Sequence, residues 1–160
     1  MDVSFSQGSQ PMEEISAAKI QIREDIAKTI SALSESEIAE KTSAIERRLF
    51  GFANFLESKI ALLYVNSNLE VQTDSIIQQA YNYSKVVVLP AFDPEGFKMK
   101  LMKVDAFKQK LIPGPRGVLE PDASRCKIVP MDRIDIAIIP GLAFDEKADE
   151  SARGQDITTD

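Results

Sequence analysis

The chain has 160 residues, enough for one domain with a real core, and its 44% hydrophobic and 28% charged content is that of an ordinary globular protein. A net charge of −6 without a long basic run excludes the electrostatic footprint of a nucleic-acid binder, and no apolar stretch reaches bilayer-spanning length. Histidine is absent and Cys126 is the single cysteine, so an internal disulfide is excluded and any acid–base or metal chemistry must use other groups.

In chain order, residues 1–10 are polar, are expected to be disordered, and lack the apolar segment of a secretory signal. From Pro11 a helix is expected, with Ile15, Ile22, Ile26, Ile30 and Leu33 on one face. Steps of ~100° from Ile15 put Lys19 at roughly 40°, inside that stripe, and Arg23 at roughly 80°, on its flank. Two cations at i,i+4 can grip a phosphate, although snorkelling or an ion pair is the plainer use, and spacing alone favours it. Ser34 with Glu37 makes a capping box. The helix it opens is expected to bury Ile38, Ile45 and Leu49, and to fray or bend at Gly51 before Phe52, Phe55 and Leu56.

Strand and helix patterns then alternate. Lys59–Val65 reads as a buried strand closed by the turn Asn66-Ser67-Asn68. Thr73 is placed to cap a helix running to Tyr83 with Ile76, Ile77 and Ala80 inward. Lys85–Leu89 is a second strand that Pro90 should close, and Asp93-Pro94-Glu95-Gly96 is a turn before Lys98–Val104, which alternates weakly as an edge strand would. Pro113-Gly114-Pro115 to Pro121 reads as a loop, and Lys127–Val129 as a little strand. The run Ile134 to Ile139 is expected to be the central strand, buried on both faces and halted by Pro140-Gly141. Ligands in open α/β sheets sit beyond the carboxyl ends of strands, so a site should begin at Leu142–Asp145. This order predicts one α/β domain, a mainly parallel sheet flanked by helices.

Glu70, just past a strand end, could accept hydrogen bonds from an amine-rich ring, and Glu120 is another acid in a loop; such acids are more often simply solvated. Phe92, Met99 and Phe107 could wall an apolar pocket, or be plain core. No catalytic triad, thiol with a base, or zinc pattern is present. Residue by residue, the chemistry stops at a site on strand ends.

Lys-Ile-Gln-Ile-Arg at 19–23, Leu-Glu-Val-Gln-Thr at 69–73, Val-Val-Leu-Pro at 87–90, Leu-Glu-Pro at 119–121 and Asp-Ile-Ala-Ile-Ile-Pro-Gly-Leu-Ala-Phe-Asp at 135–145 occur in one order. Over roughly residues 15–147 this order resembles the 5-formyltetrahydrofolate cyclo-ligase family. The resemblance implies a three-layer α/β fold and an ATP- and magnesium-dependent closure of 5-formyltetrahydrofolate to 5,10-methenyltetrahydrofolate. Matched by position, it implies that Lys19 and Arg23 grip ATP phosphate, that Glu70 holds the pterin end of the folate, and that Val65, Phe92 and Met99 contact the folate. It assigns no catalytic residue and no metal ligand in this chain. Composition points to the cytoplasm, without nucleic-acid or membrane partners, and the expectation is a monomer acting on a small molecule.

After Phe144-Asp145 the family pattern has a glycine-rich loop ending Gly-Tyr-Tyr-Asp, whereas Ala148–Asp160 is acidic and without period. The possible codons of this tail, read one base earlier, permit Gly-Gly-Arg-Ile-Gly-Ser-Gly-Thr-Gly-Tyr-Tyr-Asp-Arg. The expectation is therefore a fold incomplete at its C-terminus, with 148–160 a frame-shifted, non-family tail and activity impaired. The alternative is a non-catalytic remnant that binds folate or nucleotide weakly.

Overall fold

A computed structural model describes residues 10–93 and 98–144, with side chains from Ile15 onward. Gln10, expected to be disordered with residues 1–9, instead begins a helix. The rest of that expectation, the turn over 94–96 and the frame-shifted reading of 148–160 lie outside these residues. Of those described, 10–33 with 141–144 form one compact unit and 34–140 another.

The first unit is carried by helix α1, Gln10–Ser31, whose first turn holds Pro11, where a missing amide hydrogen costs nothing. The expected stripe is only partly covered: Ile15 and Ile22 are exposed, while Ile26, Ile30 and Leu33 are half-buried. Among the described residues, the short segment 141–144 is what shares this unit with α1. Lys19, inside the stripe, is exposed accordingly. In the same unit the Phe144 ring lies over Gly141 so closely that a Cβ there would fall 2.1 Å from its Cζ.

The second unit opens with α2, Glu35–Leu49, and the capping box forms as expected, Glu37 N–H donating to Ser34 Oγ and Ser34 N–H to the Glu37 carboxylate at 2.8 Å. Those bonds hold the Glu37 carboxyl below its usual pKa. Burial on α2 differs from expectation: Thr42 is buried, Ile38 and Leu49 are half-buried, and Ile45 is exposed. After Gly51 comes the short helix α3, Ala53–Glu57, which fully buries Phe55.

Strand β1, Ile60–Leu62, leads through a loop into α4, Asp74–Asn82, and then β2, Val86–Asp93, parallel to β1. Ile76, Ile77 and Ala80 are buried as their spacing predicts. β3, Lys98–Lys103, runs antiparallel to β2, and a two-stranded hairpin follows, β4 (Leu111–Pro113) with β5 (Leu119–Pro121). β6, Lys127–Ile128, is antiparallel to β3, and β7, Ile136–Ala137, is parallel to β1. The five-stranded sheet has the order β6-β3-β2-β1-β7, and only β3 opposes the rest, so it is mainly parallel as expected.

One face carries the main core, where Phe55, Ile77 and Ala80 from the helices meet Ala61, Val87, Leu89 and Met102 from the strands, with Leu63 and Val104 just past β1 and β3. The other face holds a smaller cluster around Leu62, Val88 and Leu101.

Four expectations are corrected. Pro90 does not close a strand. In β2 the amide of Val86 and the carbonyl of Val88 point toward β1, and Pro90 follows with the same parity just beyond the last rung. Its missing amide hydrogen faces where β1 has ended, so pairing with Leu101 of β3 continues. β3 is not an edge strand, because β6 pairs with it. The stretch 113–121 is not a loop but the β4–β5 hairpin, turning at Gly117 with φ +75°. Finally, β7 is not central. Among the described residues it pairs only with β1, Ile134, Ile136 and Ile138 are half-buried, and Ile139 is exposed. A continuous apolar run signals strand but does not specify position in the sheet.

Candidate functional site

The second unit places its chemistry beyond the carboxyl ends of β1 and β2. Past β1 the chain turns through Asn66 and Ser67, and this loop is stitched at both ends. The Thr73 amide donates to Asn66 Oδ1 at 3.0 Å, and the Asn66 amide donates to Thr73 Oγ1 at 3.2 Å. Thr73 does occupy the N-cap of α4, but its side chain makes no cap bond there. Its hydroxyl, buried with the residue at 3% exposure, serves Asn66 instead. Within the loop the Ser67 amide donates to the Glu70 carboxylate at 2.8 Å, and the Glu70 amide returns to the Ser67 carbonyl at 3.2 Å. Glu70 is thereby held at the strand end, half-buried.

A cleft of about 420 Å³ opens between this loop and the hairpin, lined by Val65, Asn66 and Ser67 on one side and by Arg116, Val118 and Leu119 on the other. Val65 also packs against the main core, so its backbone is fixed. Asp74, at the start of α4, lines the same cleft and pairs with Lys108 at 2.8 Å.

Beside it lies a second cleft of about 240 Å³, lined by Phe92, Lys100, Met102, Ile112, Gly114 and Glu120 among others. Glu120 is 5% exposed, and the Phe92 amide donates to its Oε2 at 2.8 Å. Its other oxygen meets Arg116 Nη2 at 3.4 Å, and the Arg116 guanidinium lies over the Phe92 ring, 5.3 Å from its centroid. Gly114 is needed here, because a Cβ at that position would sit 2.5 Å from Glu120 Cδ. The sequence left Glu120 a loop acid with a weak claim. The signal that could have raised it was the turn-forming Pro113–Gly117 run between the apolar pairs Leu111-Ile112 and Val118-Leu119, which is a hairpin pattern.

The candidate folate residues therefore separate. Val65 and Glu70 lie on or beside the first cleft, and Phe92 lines the second and stacks with Arg116. Met99 stands opposite Phe92 in the β2–β3 ladder but packs with the Leu62, Val88 and Leu101 cluster and lines neither cleft. Phe107 packs against the main core.

In the first unit, Lys19 is exposed on α1 and Arg23, one turn on, is half-buried. The Arg23 Nε is buried and has no hydrogen-bond partner among the described residues. A buried guanidinium nitrogen without an acceptor is costly unless something supplies one, and a phosphate oxygen is a suitable acceptor. Among the described residues no group of three or more acidic or sulfur ligands is gathered where a metal ion could be held. No described helix is long and apolar enough to cross a membrane.

Residues 15–155 match the family model described as the 5-formyltetrahydrofolate cyclo-ligase family. The chain is 29% identical over 140 residues to a probable 5-formyltetrahydrofolate cyclo-ligase of Caenorhabditis elegans, a match covering 83% of this chain and 66% of the relative. It is 20% identical to the mouse 5-formyltetrahydrofolate cyclo-ligase over 88% of this chain and 71% of that one. Among solved structures it is similar to the 5,10-methenyltetrahydrofolate synthetase of Aquifex aeolicus, with a TM-score of 0.74, 25% identity, and coverage of 86% of this chain and 68% of that one. The chain thus spans about two thirds of the length of these relatives.

Proposed function

The chain belongs to the 5-formyltetrahydrofolate cyclo-ligase family, and from that premise we propose that it binds 5-formyltetrahydrofolate and ATP and serves their conversion to 5,10-methenyltetrahydrofolate, ADP and phosphate. The observation that carries the proposal is the loop at a parallel strand's end, in which Val65 to Asn68 line a cleft and Ser67 holds Glu70, within a family match over residues 15–155. In the proposed reaction the formyl oxygen attacks the γ-phosphoryl group and ADP leaves. The folate's second nitrogen then closes on the activated carbon and phosphate departs. Lys19 and Arg23 neutralise charge on the transferring phosphoryl group, and the unpartnered Arg23 Nε supplies a donor that water does not satisfy. Glu70, fixed by the Ser67 amide, accepts from the amine-rich edge of the pterin, and Val65 gives an apolar contact beside it. By position the resemblance puts Phe92 and Met99 in the folate pocket, and of the two Phe92 is the one at a cleft.

Magnesium would reach such a site on the triphosphate, keeping phosphate oxygens and water as most of its ligands. The described residues do not form a site for it. The 160 residues also contain no Gly-Tyr-Tyr-Asp after Phe144-Asp145, so the polypeptide of these residues should bind folate more readily than it turns it over. A folate binder without turnover is the second reading, and the departure of residues 148–160 from the family's glycine-rich pattern is what favours it. A monomer in the cytoplasm is the setting we propose.

Titration calorimetry with 5-formyltetrahydrofolate, then absorbance of the methenyl product with ATP and magnesium added, tests both readings. Saturable folate binding with product formation supports the enzyme, and binding without product supports the second reading. Absence of saturable binding would overturn both.

A further inference from the structure

We propose that Arg116 is a specificity-determining residue of the Val65–Leu119 cleft, taking an oxyanion of the bound ligand, and that Glu120 positions it. This rests on the folate and ATP reading given above, and it assigns the wall of the cleft opposite the Val65 loop.

Arg116 sits at the turn of the β4–β5 hairpin, immediately before Gly117, whose φ of +75° fixes the path of the chain. Arg116 lines the cleft, and its guanidinium is restrained twice. The Phe92 ring lies under it at 5.3 Å, and Glu120 Oε1 meets Nη2 at 3.4 Å. That contact is long and engages one of five N–H donors, and no other partner for Arg116 is found among the described residues. Glu120 cannot follow the guanidinium elsewhere. It is 5% exposed, its second oxygen is taken by the Phe92 amide at 2.8 Å, and its methylenes fill the space that only a glycine at 114 leaves open. A planar cation held on a ring face by a fixed carboxylate is preorganised, and so loses little side-chain freedom on binding.

The competing acid in the cleft is already occupied, since Asp74 pairs with Lys108 at 2.8 Å. The opposite wall, Val65, Asn66 and Ser67, carries no charged side chain. Arg116 is therefore the cation left to meet an anionic group there, and its remaining N–H edge suits a carboxylate or a phosphate equally. On 5-formyltetrahydrofolate the acidic groups lie on the tail, away from the pterin; on ATP they are the phosphates.

The test is calorimetric binding to the full chain and to its Arg116→Gln, Arg116→Lys and Glu120→Gln variants, with three probes. These are 5-formyltetrahydrofolate, 5-formyltetrahydropterin, which lacks the acidic tail, and ATP. Arg116→Gln is expected to weaken one acidic ligand by about tenfold or more, with the pterin unchanged and Arg116→Lys recovering part of the loss. A loss confined to the folate identifies a carboxylate, and a loss confined to ATP a phosphate; either supports the proposal. Glu120→Gln keeps an acceptor for the Phe92 amide but not the charge facing Arg116, and should reproduce the acid-selective loss. Unchanged binding of both acidic ligands by Arg116→Gln, or an equal loss on the pterin, overturns the proposal while leaving the folate reading intact. A wild-type chain that binds neither folate nor ATP overturns that reading and this one with it.

Discussion

The Glu120 carboxylate accepts a 2.8 Å hydrogen bond from the Phe92 amide, 28 residues away in sequence. In β2 the amides of even-numbered residues face β1, which ends before reaching Phe92. Pro90 has no amide hydrogen to satisfy on that edge, and Glu120 satisfies the next one. The carboxylate takes the place of a strand partner and fixes the hairpin to the end of β2.

Replacing Glu120 with alanine should therefore destabilise the second unit by about 1–3 kcal/mol, the cost of an unpartnered buried donor. Gly114→Ala should destabilise it too, because the new methyl group would displace Glu120. Urea melts of both variants check this, and a wild-type midpoint for Glu120→Ala would refute it.

Lys85 is 5% exposed, and its ammonium donates to the carbonyls of Phe55 at 2.5 Å, Ser58 at 2.6 Å and Leu56 at 3.1 Å, closing the end of α3. Burial pushes its pKa down, and the Asp135 carboxylate opposes that shift. Lys85→Met should cost about 1–3 kcal/mol, because apolar volume replaces the stem but leaves those carbonyls unpaired. A thermal melt equal to that of the wild type would show that water replaces the ammonium.

The Tyr81 hydroxyl donates to the Val104 carbonyl at 2.6 Å, and burial, with the negative charges of Asp105 and Cys126, pushes its pKa up to about 12. Its folded pKa exceeds the unfolded value near 10, so its contribution to stability is complete below pH ~10 and is lost as pH rises toward 12. Tyr81→Phe should remove that part of the alkaline slope and cost about 1 kcal/mol at neutral pH. Phenolate absorbance against pH should include a step near 12 that is missing in the variant.

Asp135 acts at the opposite end of the pH scale. Its Oδ2 accepts from the Ile60 and Lys59 amides, both at 2.8 Å, and these bonds hold its pKa below the usual carboxylate value. The stability it confers is present above pH ~4 and is lost as pH falls through its lowered folded pKa. Asp135→Ala should flatten the acid limb of the stability curve, and an unchanged limb in acid denaturation would count against the assignment.

Among the described residues, each edge of the sheet carries an exposed isoleucine. Ile128 in β6 is 63% exposed and Ile139, just past β7, 56%. Edge strands of this kind invite pairing between molecules. Ile128→Lys and Ile139→Lys should each raise the concentration at which light scattering detects association and lower hydrophobic-dye fluorescence. No change in either signal would show that the edges are not the route.

The sequence alone determined whatever is local or periodic. Ser34 and Glu37 stand three apart, so their capping box follows from spacing. Ile76, Ile77 and Ala80 share a helix face, so their burial follows from the 3.6-residue period. Lys59–Val65 and Lys85–Leu89 announced strands by composition, and the ordered motifs announced the family. Tertiary structure decided where a polar group's partner lies far away in the chain. Pro90 could remain inside β2 only because β1 stops short, a fact of pairing and not of composition. The Thr73 hydroxyl turned from its helix to Asn66 because the loop folded back on it. Glu120 reads as a loop acid and Lys85 as the start of a strand until the fold buries them beside an amide of β2 that β1 stops short of and carbonyls at the end of α3. Hydrophobic period reports which face of an element is covered, whereas a buried charge is set by the particular backbone groups that neighbouring elements leave unsatisfied, and no local pattern encodes those.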